Sequence, residues 1–117
     1  MKKKPKKIKE NKIDALFSLY IRNRDKVCLK CGKKDNLQCA HIFSRVNRSV
    51  RWFDDNCVTL CYACHMFWAH KNPVEFTEFV KQFLGETRYQ NLRTLAKSIK
   101  KWTEQEKQEL LEELKGL

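Results

Sequence analysis

Cys28-Leu29-Lys30-Cys31 and Cys61-Tyr62-Ala63-Cys64 are the two stretches on which the reading of this chain turns. Each sets a pair of thiols two residues apart on a tight turn, and together they offer the four soft thiolates that a tetrahedral zinc ion takes. The segment between them, residues 32–60, is longer than a plain zinc ribbon needs. Something further is therefore expected inside it. It holds His41 and Asn56, and His65 follows the second pair directly.

Working outward, Leu37 to Phe43 has the length and composition of a strand. A polar loop, Ser44 to Asp55, carries Arg45, Arg48 and Arg51. Asn56 to Leu60 reads as a second strand, and Cys61 to about Lys71 as a short helix bearing Cys64 and His65. On an α-helix His70 lies about 140° from His65, so it is expected to be exposed or capping and not a co-ligand. Cys39 and Cys57 fall outside the two pairs and read as small buried hydrophobes.

The flanks are helical. From Lys12, Ile13, Leu16, Phe17, Tyr20 and Ile21 recur on one helix face. Asn72-Pro73-Val74-Glu75 looks like a capped helix start, and Gly85 like its stop. A further helix from about Thr87 presents Tyr89, Leu92, Leu95, Ala96 and Ile99. Thr103 to Glu106 is a capping box that opens a last helix striped with Leu110, Leu111, Leu114 and Leu117. These stripes read first as core. The acidic last helix leaves a partner or a second copy open as alternatives. The expected organisation is a disordered basic tail over 1–11, one α+β domain over 12–100, and an acidic amphipathic helix over 101–117.

Composition narrows the function. A chain of 117 residues has room for one small core, which a structural metal would reinforce. Its formal net charge is +11, distributed as +6 over residues 1–12, +8 over 13–103 and −3 over 104–117. The body of the domain is thus basic in itself, which favours a polyanion such as DNA. Six cysteines would form a disulfide framework only in a secreted setting. The lysines near Met1 are followed by no apolar stretch, and no run approaches the roughly 20 apolar residues of a membrane span. The expectation is a cytoplasmic protein without membrane association, and a thioredoxin-like redox role is disfavoured by the absence of a βαβ pattern.

Cys28-x2-Cys31, His41, Asp55-Asn56 and Cys61-x2-Cys64-His65 resemble the HNH nucleases, a ββα-metal fold stapled by a zinc knuckle. The resemblance covers about Val27 to Lys71. It implies structural Zn²⁺ on the four cysteines, His41 as general base, Asn56 as the residue that orients loop and base, and His65 as ligand of a catalytic divalent cation, Mg²⁺ or Mn²⁺. Many HNH members carry Asp or His before the base histidine as a further ligand, where this chain has Ala40. Asp54, Asp55, Cys39, His70, water or substrate phosphate would then complete the shell. A closer similarity runs from about Cys28 to Leu95. Ala40-His41-Ile42-Phe43-Ser44-Arg45, Arg51, Asp54-Asp55-Asn56, the second knuckle, Asn72, Glu75-Phe76 and Leu84-Gly85 look like phage recombination proteins of the NinG/Rap type. That implies a phage-encoded protein working on branched recombination intermediates in a bacterial cytoplasm, where two symmetric arms would suit a homodimer.

The chemistry is intelligible without the family. Phosphodiester hydrolysis needs a proton acceptor for water, which an imidazole titrating near neutrality provides. It also needs positive charge at the scissile phosphate, which a divalent cation provides. An asparagine amide donates and accepts, so it can hold a loop. Arg45, Arg48 and Arg51 have forks that fit phosphate oxygens, and Trp52, Phe53, Phe67 and Trp68 offer rings for stacking or for core. The competing reading is a zinc-stapled DNA-binding module without catalysis.

Overall fold

Strands β1 (Leu37–His41) and β2 (Cys57–Cys61) pair antiparallel, with Leu37 opposite Cys61 and His41 opposite Cys57. Alternation along each strand puts Cys39, His41, Cys57 and Thr59 on one face, and Ala40, Val58 and Leu60 on the other. Every residue of β2 is buried, so both faces are covered. This computed structural model describes residues 7–117.

Helix α1 (Glu10–Asp25) covers the first face. Its Ile13, Phe17 and Ile21 recur every four residues and are all buried, each contributing about 1.5–3 kcal/mol of apolar burial. At its end the chain turns through Lys26 at φ 68°, and Lys26 N–H closes onto the Arg22 carbonyl at 2.8 Å. Asp25 then accepts the Thr59 amide at 3.0 Å, while Arg24 donates to the carbonyls of Cys57 and Asp54 at 2.8 and 2.9 Å. The helix end is thereby locked to β2.

The opposite face meets a short helix over Cys64–Ala69, α2 (Pro73–Leu84) and α3 (Glu86–Ala96). Ala40, Val58 and Leu60 pack there with Phe76, Val80, Tyr89 and Leu92. Gly85, at φ 80°, ends α2 and starts α3, the left-handed turn that favours glycine. Helix α4 (Glu104–Lys115) folds back on α1, placing Leu111 and Leu114 with Ile13, Phe17 and Ile21. The Thr103 and Glu106 capping box forms as the sequence suggests.

The structure departs from the sequence reading in several places. Within the stretch 1–11 expected to be disordered, Ile8 is buried and its amide donates to Glu104 at 2.6 Å, and α1 begins at Glu10. Residues 1–6 lie outside the described residues. Asn56 belongs to a 3₁₀ turn over Asp54–Asn56, one residue before β2. Asn72 makes no side-chain cap on α2; its amide donates to the Trp68 carbonyl at 3.2 Å, and Glu75 accepts from the Trp68 indole at 3.2 Å. Among the described residues no helix is long and apolar enough to cross a membrane.

Candidate functional site

The two knuckles meet. The Sγ atoms of Cys28, Cys31, Cys61 and Cys64 all lie within 4.8 Å of one another, and Cys31 and Cys61 are 3.7 Å apart. Zinc–sulfur bonds of about 2.3 Å in a tetrahedron set sulfur atoms about 3.8 Å apart, so these positions suit the ion. The first knuckle is closed by Gly32, at φ 80°, whose amide donates to the Cys28 carbonyl at 2.8 Å. The second starts at the last residue of β2, and the Cys64 amide points at the Cys61 sulfur at 3.5 Å. Burial pushes the Cys28 thiol up, yet the amides of Cys61, Cys31 and Lys30 outweigh it and bring the thiol down to about 7. Cys64, buried among the other three sulfurs, is pushed far up. Such opposed shifts are what four crowded thiols do until a cation shares their protons' place.

Beyond the cluster all three histidines of the chain come together. His41, His65 and His70 line one cleft of about 570 Å³ with Asp14, Ser18, Cys39, Ser44 and Arg45. His41 ends β1 and is half-buried. Its Nε2 lies 3.1 Å from the Arg51 carbonyl oxygen, which can only accept, so Nε2 carries the proton and Nδ1 keeps the lone pair. Burial, followed by the nearby Arg45 charge, holds the imidazole below its ordinary value despite that hydrogen bond. His65 is set in the other tautomer. Its Nδ1 donates to the Gln38 amide oxygen at 2.7 Å and leaves the lone pair on Nε2. Burial, then the charges of His70 and His41, lower it as well.

His70 is exposed and caps the turn, as the sequence reading expects, but the turn is not the α-helix on which a separation of about 140° from His65 rests. Cys64–Ala69 is a π turn, and the His70 amide donates to the His65 carbonyl at 3.2 Å, an i to i+5 bond. Residues five apart therefore stack on one face, and the two rings stand 4.5 Å apart at 78°. No feature of the α-helical periodicity could have signalled this. Gln38, which holds His65, and Asp14, which lines the cleft, carried no sequence signal of their own.

Asn56 is fully buried and entirely spoken for. Its Oδ1 accepts the Phe43 amide at 2.8 Å, while Nδ2 donates to the carbonyls of Phe43 and Val50 at 2.9 and 3.0 Å. One amide thus ties the chain just after His41 to the residue before Arg51. It makes no hydrogen bond to the histidine; it holds the Val50 carbonyl, one residue before the Arg51 carbonyl that does.

The three loop arginines are differently placed. Arg48 grips Glu10 at 2.6 and 2.8 Å, and Arg51 grips Asp14 at 3.0 and 2.7 Å. Both forks are engaged in pinning the loop to α1, helped by the Trp52 indole on Asp14 at 2.8 Å. Arg45 reaches Asp14 only at 3.7 Å and is 61 % exposed, at the rim of the cleft. Of the four aromatics, Trp52 is buried against Trp102 and Trp68 packs on Phe76 and Phe79, while Phe53 and Phe67 are exposed.

No family model, no curated protein and no solved structure matches this chain. What the geometry defines is an α+β domain with a small antiparallel sheet and a four-cysteine cluster able to coordinate a metal ion such as structural Zn²⁺.

Proposed function

We propose that this chain is a metal-dependent DNA endonuclease of the HNH kind, held together by zinc on Cys28, Cys31, Cys61 and Cys64. The observation that carries the reading is the convergence of His41, His65 and His70 in one cleft, with the tautomers of His41 and His65 set by fixed partners. His41 Nδ1 accepts a proton from water, and the resulting hydroxide attacks phosphorus. The bond to the 3′ oxygen breaks, leaving a 5′-phosphate and, once that oxygen is protonated, a 3′-hydroxyl; this polarity comes from the family resemblance. His65 and His70 would hold the catalytic cation, which when bound supplies Lewis-acid charge at the phosphate. Two imidazoles favour Mn²⁺ over Mg²⁺. Arg45 and the basic body, with a net +8 over residues 13–103, support a DNA partner bound mostly through its phosphates. The resemblance to phage recombination nucleases favours branched DNA, and two copies would suit such a substrate.

A second reading has its own support. The four-cysteine cluster has a complete ligand set, whereas Ala40 offers the second site only a methyl group. On that account the chain is a zinc-stapled DNA-binding module. Incubating linear, supercoiled, single-stranded and four-way-junction DNA with the zinc-loaded protein, with and without Mn²⁺ or Mg²⁺, separates the two. Cation-dependent cutting with 5′-phosphate ends supports the nuclease. Binding without cutting under every cation supports the module.

A further inference from the structure

Cys39 and Cys57 lie outside the four-cysteine cluster and have no part in the proposed hydrolysis. They share a sheet face with His41, since His41 is paired with Cys57 and Cys39 lies two residues earlier on the same strand. The two sulfurs and a ring nitrogen of His41 all lie within 4.8 Å of one another. Neither thiol is in a disulfide. We propose that Cys39, His41 and Cys57 form a second soft-metal site that takes zinc or another thiophilic divalent cation, with solvent as the fourth ligand.

The geometry needs little adjustment. Zinc–sulfur and zinc–nitrogen bonds of about 2.3 and 2.0 Å put tetrahedral ligand atoms about 3.3–3.8 Å apart. The three donors, within 4.8 Å of one another, must close by about 1–1.5 Å at most, which side-chain rotation can supply while the paired strands stay in register. Two thiolates and an imidazole select zinc over magnesium or manganese. Arg24 donates to the Cys57 carbonyl at 2.8 Å, so a cation's partner thiolates sit beside a positive group. Asp14 also faces the cleft, but its carboxylate is occupied by Arg51 and Trp52. Cys39 and His41 border the cleft, so solvent completes the shell there, the pattern of a three-ligand open zinc site as opposed to a closed structural one. With three protein ligands against four, the site is expected to exchange metal faster than the four-cysteine cluster. One consequence rests on the nuclease reading: a cation here occupies the lone pair of His41, so zinc in this site and base catalysis exclude each other.

The test reads metal, not cleavage, and so stands or falls independently of the nuclease. Reduced protein is saturated with zinc, freed of excess by gel filtration and assayed for zinc per chain, then repeated with Co²⁺ to record thiolate-to-cobalt absorption. Wild type is expected to retain two ions, one of them removed first by a graded chelator. Cys39→Ala and His41→Ala, neither at a fully buried position, are expected to retain one ion and the wild-type circular dichroism. A single ion in wild type overturns the proposal. So does a second ion that survives Cys39→Ala and is lost in His65→Ala/His70→Ala, which assigns it to the histidine pair.

Discussion

The Nε2 of His41 donates to the carbonyl oxygen of Arg51 across 3.1 Å, and that single bond decides which nitrogen of the imidazole is able to take a proton. Arg51 is in turn held by Asp14 on α1, and its neighbour Val50 is held by Asn56. The histidine's chemistry is therefore set by residues that never touch it.

If Asn56 is the loop's anchor, Asn56→Ala removes three hydrogen bonds and strips the Phe43 amide and carbonyl of this side-chain partner, while the Val50 carbonyl keeps the Phe53 amide. The expected loss is about 2–5 kcal/mol, measured by chemical denaturation. Asn56→Asp keeps the acceptor and loses both donor bonds, so it should fall short of wild type as well. Wild-type stability in both variants would show that the loop is held by other means.

The pH dependence of cleavage follows from His41. Its folded value lies below the ordinary 6.5, chiefly because of burial, so the neutral form persists to lower pH than in an exposed histidine. With His41 as the base of the proposed hydrolysis, the acid limb of kcat/KM should be centred below 6.5. The same shift has a stability sign. An unfolded chain takes up the proton first, so His41 destabilises the fold progressively as pH drops under 6.5. An acid limb centred above 6.5 would contradict this placement.

Arg45 and Arg51 should separate cleanly. Arg45→Ala is expected to weaken DNA binding uniformly across sequences and to reduce the salt slope by about 1, with little change in stability. Arg51→Ala breaks the two-bond grip on Asp14 and should lower stability by about 1–3 kcal/mol. The same loss diminishes the acid limb of stability. Burial raises Asp14, but Arg51 and Trp52 outweigh it and hold the carboxyl below its ordinary 3.8, so its stabilisation is present above that pH and lost beneath it. The variant should show a weaker acid dependence of stability under pH 4 than wild type.

Stripping zinc from the four thiols should abolish cooperative unfolding, since the two knuckles join segments about 30 residues apart and a structural zinc contributes roughly 10 kcal/mol or more. Circular dichroism during titration with a strong chelator checks this. A cooperative melt after complete metal removal would dismiss the four-cysteine assignment.

His70→Ala should raise the Mn²⁺ concentration needed for half-maximal cleavage by at least about tenfold while leaving DNA affinity unchanged. An unaltered Mn²⁺ requirement would leave His65 without its proposed co-ligand.

Much of this was legible in the chain itself. The knuckles, the two strands and the apolar faces of α1 and α4 follow from local spacing, because each depends on residues within a few positions of one another. The capping box at Thr103 held for the same reason. What could not be read depended on tertiary geometry. His70 joins His65 only because the helix there widens to a π turn, and Arg48 and Arg51 lose their availability only because α1 brings Glu10 and Asp14 over the loop. Cys39 and Cys57 pack in the core under α1 as small apolar residues, as the sequence reading has them, and only strand register shows that they also sit beside His41.

The most direct measurement is single-turnover cleavage of labelled DNA in Mn²⁺ by wild type and His41→Ala, with binding followed on the same samples. The account predicts that both bind with similar affinity and that cleavage by the variant falls by about 10²-fold or more. Equal cleavage by the two, or binding by both with no cleavage by either, would contradict it.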